Sequence, residues 1–316
     1  MKHPVFLPGA AISLLILSAC SSDENDPAVD FGIPPPASMV TSGTVEVLDE
    51  GSSRYHVLVF GELVTSTIVE TESGSIIVDV AFGLIPESGT QLRAYADALG
   101  KPIDVVITHA HLDHFGNIAS FADTNVYAET ENAALLLADM SFTGLYSGTV
   151  NAVSGTIQLA GIDVVFDNIS NTEATENGYI SIPGDNTLFL GDLIFNQSHA
   201  FIRDYTPLDD TDELDFWIAG LNDIQDNFGN YNRVFVGHNG HRSDVSAVLD
   251  ENIDYLTVSQ ALIKGTRALT AGGFAASVQE VTDELARLYP DYKNGGLLLA
   301  LPNGLFPGDP GAAWFP

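Results

Sequence analysis

Residues 103–114 read IDVVITHAHLDH. The first six form a short continuous apolar run, the pattern of a buried strand. Directly behind it His109, His111, Asp113 and His114 fall within six positions, and three of the chain's eight histidines are among them. A strand that delivers four ligand-type side chains at its C-terminal end restricts the architecture more than any other feature here. Open α/β folds place their sites at such ends. His109 and His111 share a parity and can converge on one metal ion where the chain turns. Asp113 and His114 lie past the turn and can face a second. Imidazoles with one carboxylate suit Zn(II) foremost, with Fe(II) and Mn(II) as alternatives.

The surrounding pattern supplies the frame. TVEVLD, YHVLVF, LVTSTIVET and SIIVDV are β-rich segments separated by Gly, Ser and Glu turns. A helical stretch over 85–99 ends at Gly100, a plausible C-cap. Past the cluster the pattern predicts a short helix at 115–121, a strand at 125–128, a helix at 130–140, strands at 161–167, 179–183 and 187–192, a helix at 210–226, a strand at 233–237 and helices at 244–268 and 274–289. The closing LLLALPNGLFPGDPGAAWFP is apolar but rich in Pro and Gly, and reads as a strap packed on the domain.

THAHLDH resembles the HxHxDH motif of the metallo-β-lactamase superfamily, and the resemblance extends over roughly residues 44–268. It implies an α/β fold, an αββα sandwich with two divalent metal ions at one edge of two facing sheets. SIIVDVAFG resembles the strand that ends in an aspartate beneath the metals, which makes Asp79 a candidate to bond a ligand from behind. FLGDLIF resembles the family's Thr-Gly-Asp segment, so Asp192 is expected to bridge both metals. VFVGHNG resembles the late strand ending in Gly-His, so His238 is expected to complete the second site with Asp113 and His114.

The first site departs from the family pattern. Where the family supplies a third histidine, ISNTEATENGYISIP contains none. One register puts Asn171 in the ligand position. A second matches Thr172-Glu173-Ala174 to a Thr-Glu-Ala segment of the alkyl sulfatase branch and makes Glu173 the ligand. His199, seven residues past Asp192, is the remaining candidate, as a ligand or toward the substrate. His56, in an early strand, reads as structural.

The resemblance implies a metal-dependent hydrolase of a small molecule: an ester, lactone, thioester, sulfate ester or amide, β-lactams included. Metal binding would lower the pKa of a shared water toward roughly 7, and Asp113 would orient it. The competing class is a non-hydrolytic metal-binding or redox module on the same fold, altered at the first site. Acidic residues number 42 against 11 basic ones, a net charge of -31. That disfavours nucleic acid and other polyanions as partners. The loops that would choose a substrate carry no motif.

The first twenty residues have a basic start at Lys2, an apolar run from Ala10 to Ala19 and the chain's single cysteine, Cys20. Leu17-Ser18-Ala19-Cys20 resembles the lipobox of bacterial lipoproteins, whose cysteine is acylated. The expectation is a signal peptide over 1–19, a flexible acidic, Pro-rich tether over 20–43 and one domain over 44–316. Ser21 after the cysteine points to lipid anchoring at the periplasmic face of the outer membrane of a Gram-negative bacterium.

Overall fold

The computed structural model describes residues 29–61, 63–85, 87–202 and 213–298, with residues 301 and 306. Cys20, the signal segment and most of the C-terminal strap lie outside them.

Two mixed sheets face each other. The first has seven strands in sequence order: β1 (Gly43–Glu50), β2 (Ser53–Phe60), β3 (Val64–Glu70), β4 (Ser75–Val78), β5 (Ile103–Val106), β6 (Asn125–Glu129) and β7 (Val150–Val153). Its first four strands pair antiparallel. From β4 onward the pairing is parallel, with α1 (Ser88–Ala98), α2 (Leu112–Phe115), α3 (Thr130–Ala138) and α4 (Met140–Leu145) in the crossovers. The second sheet holds β8 (Gly155–Leu159), β9 (Ile162–Ser170), β10 (Glu176–Ile182), β11 (Thr187–Phe189), β12 (Arg233–Phe235) and β13 (His241–Arg242), one beside the next. Helix α5 (Glu213–Phe228) follows β11, and α6 (Val245–Ile263), α7 (Val278–Leu288) and the single turn α8 (Gly295–Leu298) follow β13.

Alternation along the strands sorts the apolar side chains into three layers. Tyr55, Val57, Ile76, Val78 and Val106 meet Ile180, Ile182, Phe189 and Phe235 between the sheets. The alternate residues Leu58, Phe60, Ile77, Val105 and Ile107 pack outward with Leu92 and Tyr95 of α1. On the far side Leu188, Leu190, Val234 and Val236 pack against Leu214, Trp217, Leu221 and Ile224 of α5, which recur at helical spacing. The result is the four-layer αββα arrangement.

Several sequence expectations shift in detail. The helix expected over 115–121 is α2 plus a separate 3-10 turn, Ile118–Phe121, because Gly116 lies against Gly83 where a side chain would collide. The helix expected over 244–268 stops at Ile263, just before Gly265 with φ +64°. The described part of the expected tether lies on the domain. The Phe31 ring faces Arg54 and Lys101 at 5.0 and 5.2 Å, Val40 is buried, and Gln91 Oε1 accepts from the Thr41 and Ser42 amides. An aromatic face over two cations and a buried apolar side chain hold this stretch in place. Of the strap, Leu301 and Phe306 are buried in the α5–α7 layer.

Candidate metal centre

Strand polarity brings the site together. β4 and β5 run parallel and deliver Asp79 and His109 to one edge of the sandwich. In the second sheet β11 and β12 run parallel and deliver Asp192 and His238 to the same edge. His111 precedes α2, and Asp113 and His114 occupy its single turn. Glu173 comes from the tight β9–β10 turn, where Asn171 adopts φ +57° and its amide bonds Thr175. Asn tolerates that left-handed conformation, which suits it to a turn.

Two glycines make room for the ligands. A Cβ on Gly237 would strike Asp192 Oδ1 and come within 2.6 Å of His114 Cε1. Gly191, at φ +51°, lies against Thr108 Oγ1 in the same way. The Gly-Asp and Gly-His pairs therefore have a steric cause.

The ligand-type atoms form two groups, Asp113–His114–Asp192–His238 and His109–His111–Glu173, and within each all lie within 4.8 Å of one another. The groups adjoin, since the His109 and His114 rings are 4.1 Å apart. In the larger group His238 Nε2 is 2.9 Å from Asp192 Oδ2 and 3.4 Å from Asp113 Oδ2, while His114 Nε2 is 3.3 Å from Asp192 Oδ1. The outer ring nitrogens are held from behind: His114 Nδ1 by Asp79 Oδ2 at 2.8 Å, and His238 Nδ1 by the Leu63 carbonyl at 2.7 Å. Asp79 itself accepts from the Thr108 amide and hydroxyl, and sits at φ 57°.

In the smaller group Glu173 Oε1 approaches His111 Nδ1 to 2.9 Å, and Glu173 Oε2 approaches His109 Nε2 to 3.6 Å. His109 Nδ1 lies 3.0 Å from Thr108 Oγ1. Behind the turn, Asn177 donates to Thr172 Oγ1 at 2.9 Å, with both residues buried.

Charge is arranged differently in the two groups. Burial opposes protonation of His114 and His238, but the carboxylates outweigh it. They hold His114 well above the ordinary histidine range and push His238 up to about 10. Burial likewise opposes ionisation of Asp192, yet His238 and His114 hold it well below the usual carboxylate range. In the smaller group burial raises Glu173 to about 7 against the pull of His111, and burial keeps His109 well below its ordinary value.

These residues fit metal ions. His109 Nε2, His114 Nε2, Asp192 Oδ1 and Glu173 Oε2 are buried without a hydrogen-bond partner. Such orphaned atoms are costly unless something they can ligate satisfies them. Asn171 and His199 join neither group among the described residues. Asn171 is an exposed turn residue, and buried His199 instead bonds Tyr255 through Nδ1 at 3.1 Å, with burial lowering its pKa to about 4. His56 also lies apart, between Tyr95 and Glu70.

Both groups face one cavity of about 660 Å³, with His111, Asp113, Glu173, Asp192 and His238 in its lining. Sequence reading missed its apolar walls, among them Phe82, Phe201 and Leu297, because they come from two loops and the single turn α8, none with a motif. It also missed Thr108 and the Leu63 carbonyl. The first stands beside the motif, whereas the second is a backbone atom 175 residues from its partner and leaves no trace in the sequence.

Solved structures share this fold. A metallo-β-lactamase from Pontibacter korlensis is 19% identical with a TM-score of 0.52, covering 68% of this chain and 99% of its own. FIM-1 from Pseudomonas aeruginosa, in its mono-zinc form, is 18% identical with a TM-score of 0.51, covering 68% and 97%. At such identities the likeness shows the fold alone. No curated protein sequence matches the chain. The sequence profile of the metallo-β-lactamase superfamily matches residues 59–257, and with that match over most of the sandwich the chain belongs to the metallo-β-lactamase superfamily.

Proposed function

We propose that the protein is a metal-dependent hydrolase of a small molecule, acting on an ester, lactone, thioester, sulfate ester or amide bond. One observation carries this reading: two adjoining groups of buried ligand atoms, several without any partner, face a single cavity large enough for a small molecule. His109, His111 and Glu173 would hold one divalent ion and Asp113, His114, Asp192 and His238 the other, with Zn(II) foremost and Fe(II) or Mn(II) as alternatives. Bound there, the metals would supply Lewis acidity and lower the pKa of water toward roughly 7.

The chain's own residues do the rest. Asp79 and the Leu63 carbonyl fix the His114 and His238 rings through Nδ1, which leaves Nε2 of each turned toward the carboxylates. Asp113 lines the cavity with its side chain 27% exposed, and can accept a hydrogen bond from the attacking water. Purified protein should contain about two ions per chain, and chelation should abolish turnover across a panel of such substrates. One ion or none, or turnover indifferent to chelation, overturns the reading.

For location, we propose acylation at Cys20 and anchoring at the periplasmic face of the outer membrane. Cys20→Ser should leave the precursor uncleaved by the lipoprotein peptidase. Wild-type protein cleaved elsewhere and free of lipid would defeat it.

A further inference from the structure

Resting on the hydrolase reading, we propose that this site selects uncharged substrates with an apolar group and discriminates against those carrying a carboxylate or sulfate. The cavity walls are Leu63, Phe82, Leu112, Phe201 and Leu297, and its polar lining is confined to the ligand groups. No lysine or arginine lines it among the described residues. The two cations flanking the His238 loop are occupied elsewhere. Arg242 forms a two-pronged pair with Glu251, and Lys293 donates to Asn239 Oδ1 beside a separate groove.

The metal groups do not make good the deficit. Asp79, Asp113, Glu173 and Asp192 stand around them, and four ionised carboxylates cancel the formal charge of two divalent ions. A histidine in place of Glu173 would leave one surplus positive charge to attract an anion. Glu173 removes it, and the chain's net charge of -31 sets the surrounding field against anions. An anionic group in the cavity would lose its hydration without a counter-charge, whereas an apolar chain gains about 25 cal/mol for each Å² it buries.

The test compares octanamide with the monoamide of octanedioic acid, which differs by a remote carboxylate. Each displaces an uncharged apolar dye, Nile red, from metal-loaded protein. Octanamide should be effective at a concentration at least about tenfold lower. Leu112→Arg, at a rim position 41% exposed, should narrow or reverse that ratio without threatening the core. Equal or better displacement by the acid in the wild type overturns the proposal. Failure of the hydrolase reading would look different: the displacement ranking would hold while no ester is turned over. Faster turnover of a carboxylate-bearing β-lactam or an alkyl sulfate than of uncharged esters would keep the hydrolase and remove the selectivity.

Discussion

The two ligand groups adjoin, yet they keep their protons in opposite places. In Asp113–His114–Asp192–His238 the carboxylates are ionised and the histidines protonated, so the group neutralises itself through ion pairs of 2.9–3.4 Å. In His109–His111–Glu173 burial pushes the proton toward the carboxyl group, against one close contact, Glu173 Oε1 to His111 Nδ1 at 2.9 Å. The first arrangement is organised before any metal arrives, and is braced by Asp79 and Leu63. The second is compensated by its one close contact and leaves buried His109 Nε2 for an ion to satisfy. Ligands must shed protons to bind metal. The larger group must release them from His238, held near 10, and from His114, held well above the ordinary histidine range, the smaller from a carboxyl near 7.

Removing Asp192 should do the most damage, because its two oxygens face His114 and His238 separately. Asp192→Ala should lose the ion of the larger group and lower turnover by more than the roughly 10–100-fold typical of losing an outer partner. Metal analysis and kcat/KM on the same preparation check this. Retention of both ions would show that the larger group is not the organised one.

Asp79→Asn sharpens the contrast through a single proton. Asp79 accepts from His114 Nδ1, so Nε2 is free to donate its lone pair to a metal once the extra proton leaves. An amide turned to donate at Nδ1 would favour the other tautomer and block Nε2. Affinity of the larger group for metal should fall roughly 10–100-fold, with the smaller group unchanged. Competition with a graded chelator separates the two ions. A uniform loss at both would mean that Asp79 supports the edge as a whole rather than His114.

How far the sequence foresaw this difference depends on what local chemistry can encode. The strand before His109, the ligand cluster and the Gly-Asp and Gly-His pairs were legible because each is local: an apolar run, a spacing, a glycine with no room for a side chain. The two short strands β7 and β8 and the helix α4 were not foreseen. Their stretches of four to six residues are partly exposed and show no sustained period. The choice among Asn171, Glu173 and His199 was undecidable locally, since it depends on which loop folds over His109. The structure puts Glu173 there and buries His199 against Tyr255.

The smallest effect is a thermal one, and it isolates Glu173. Its pKa in the folded protein is about 7 against a reference of 4.5, so without metal the folded state holds the proton more tightly than the unfolded chain. That contribution to stability is complete below about pH 4.5 and is lost as pH rises toward 7, where the buried carboxylate must ionise with burial outweighing its contact with His111. His238, raised from 6.5 to about 10, acts in the same direction over a later window, from about pH 6.5 to 10. His109, His199 and His56, which burial holds below their ordinary value, act in the opposite direction up to about pH 6.5. The Glu173 contribution is therefore read as the Tm difference between metal-free wild type and Glu173→Gln. That difference should shift against the wild type from pH 5 to 7.5 by on the order of a few degrees, since each kcal/mol moves the Tm of a domain this size by roughly 2–4 °C. Glu173→Gln carries no such proton and should lose that part of the pH dependence, while keeping the later fall to which His238 and His114 both contribute. Metal-loaded wild type should lose the early slope as well, because the metal takes the ionised carboxylate. If Glu173→Gln leaves the slope between pH 5 and 7.5 intact, the proton is stored elsewhere, and the two groups do not differ in the way proposed.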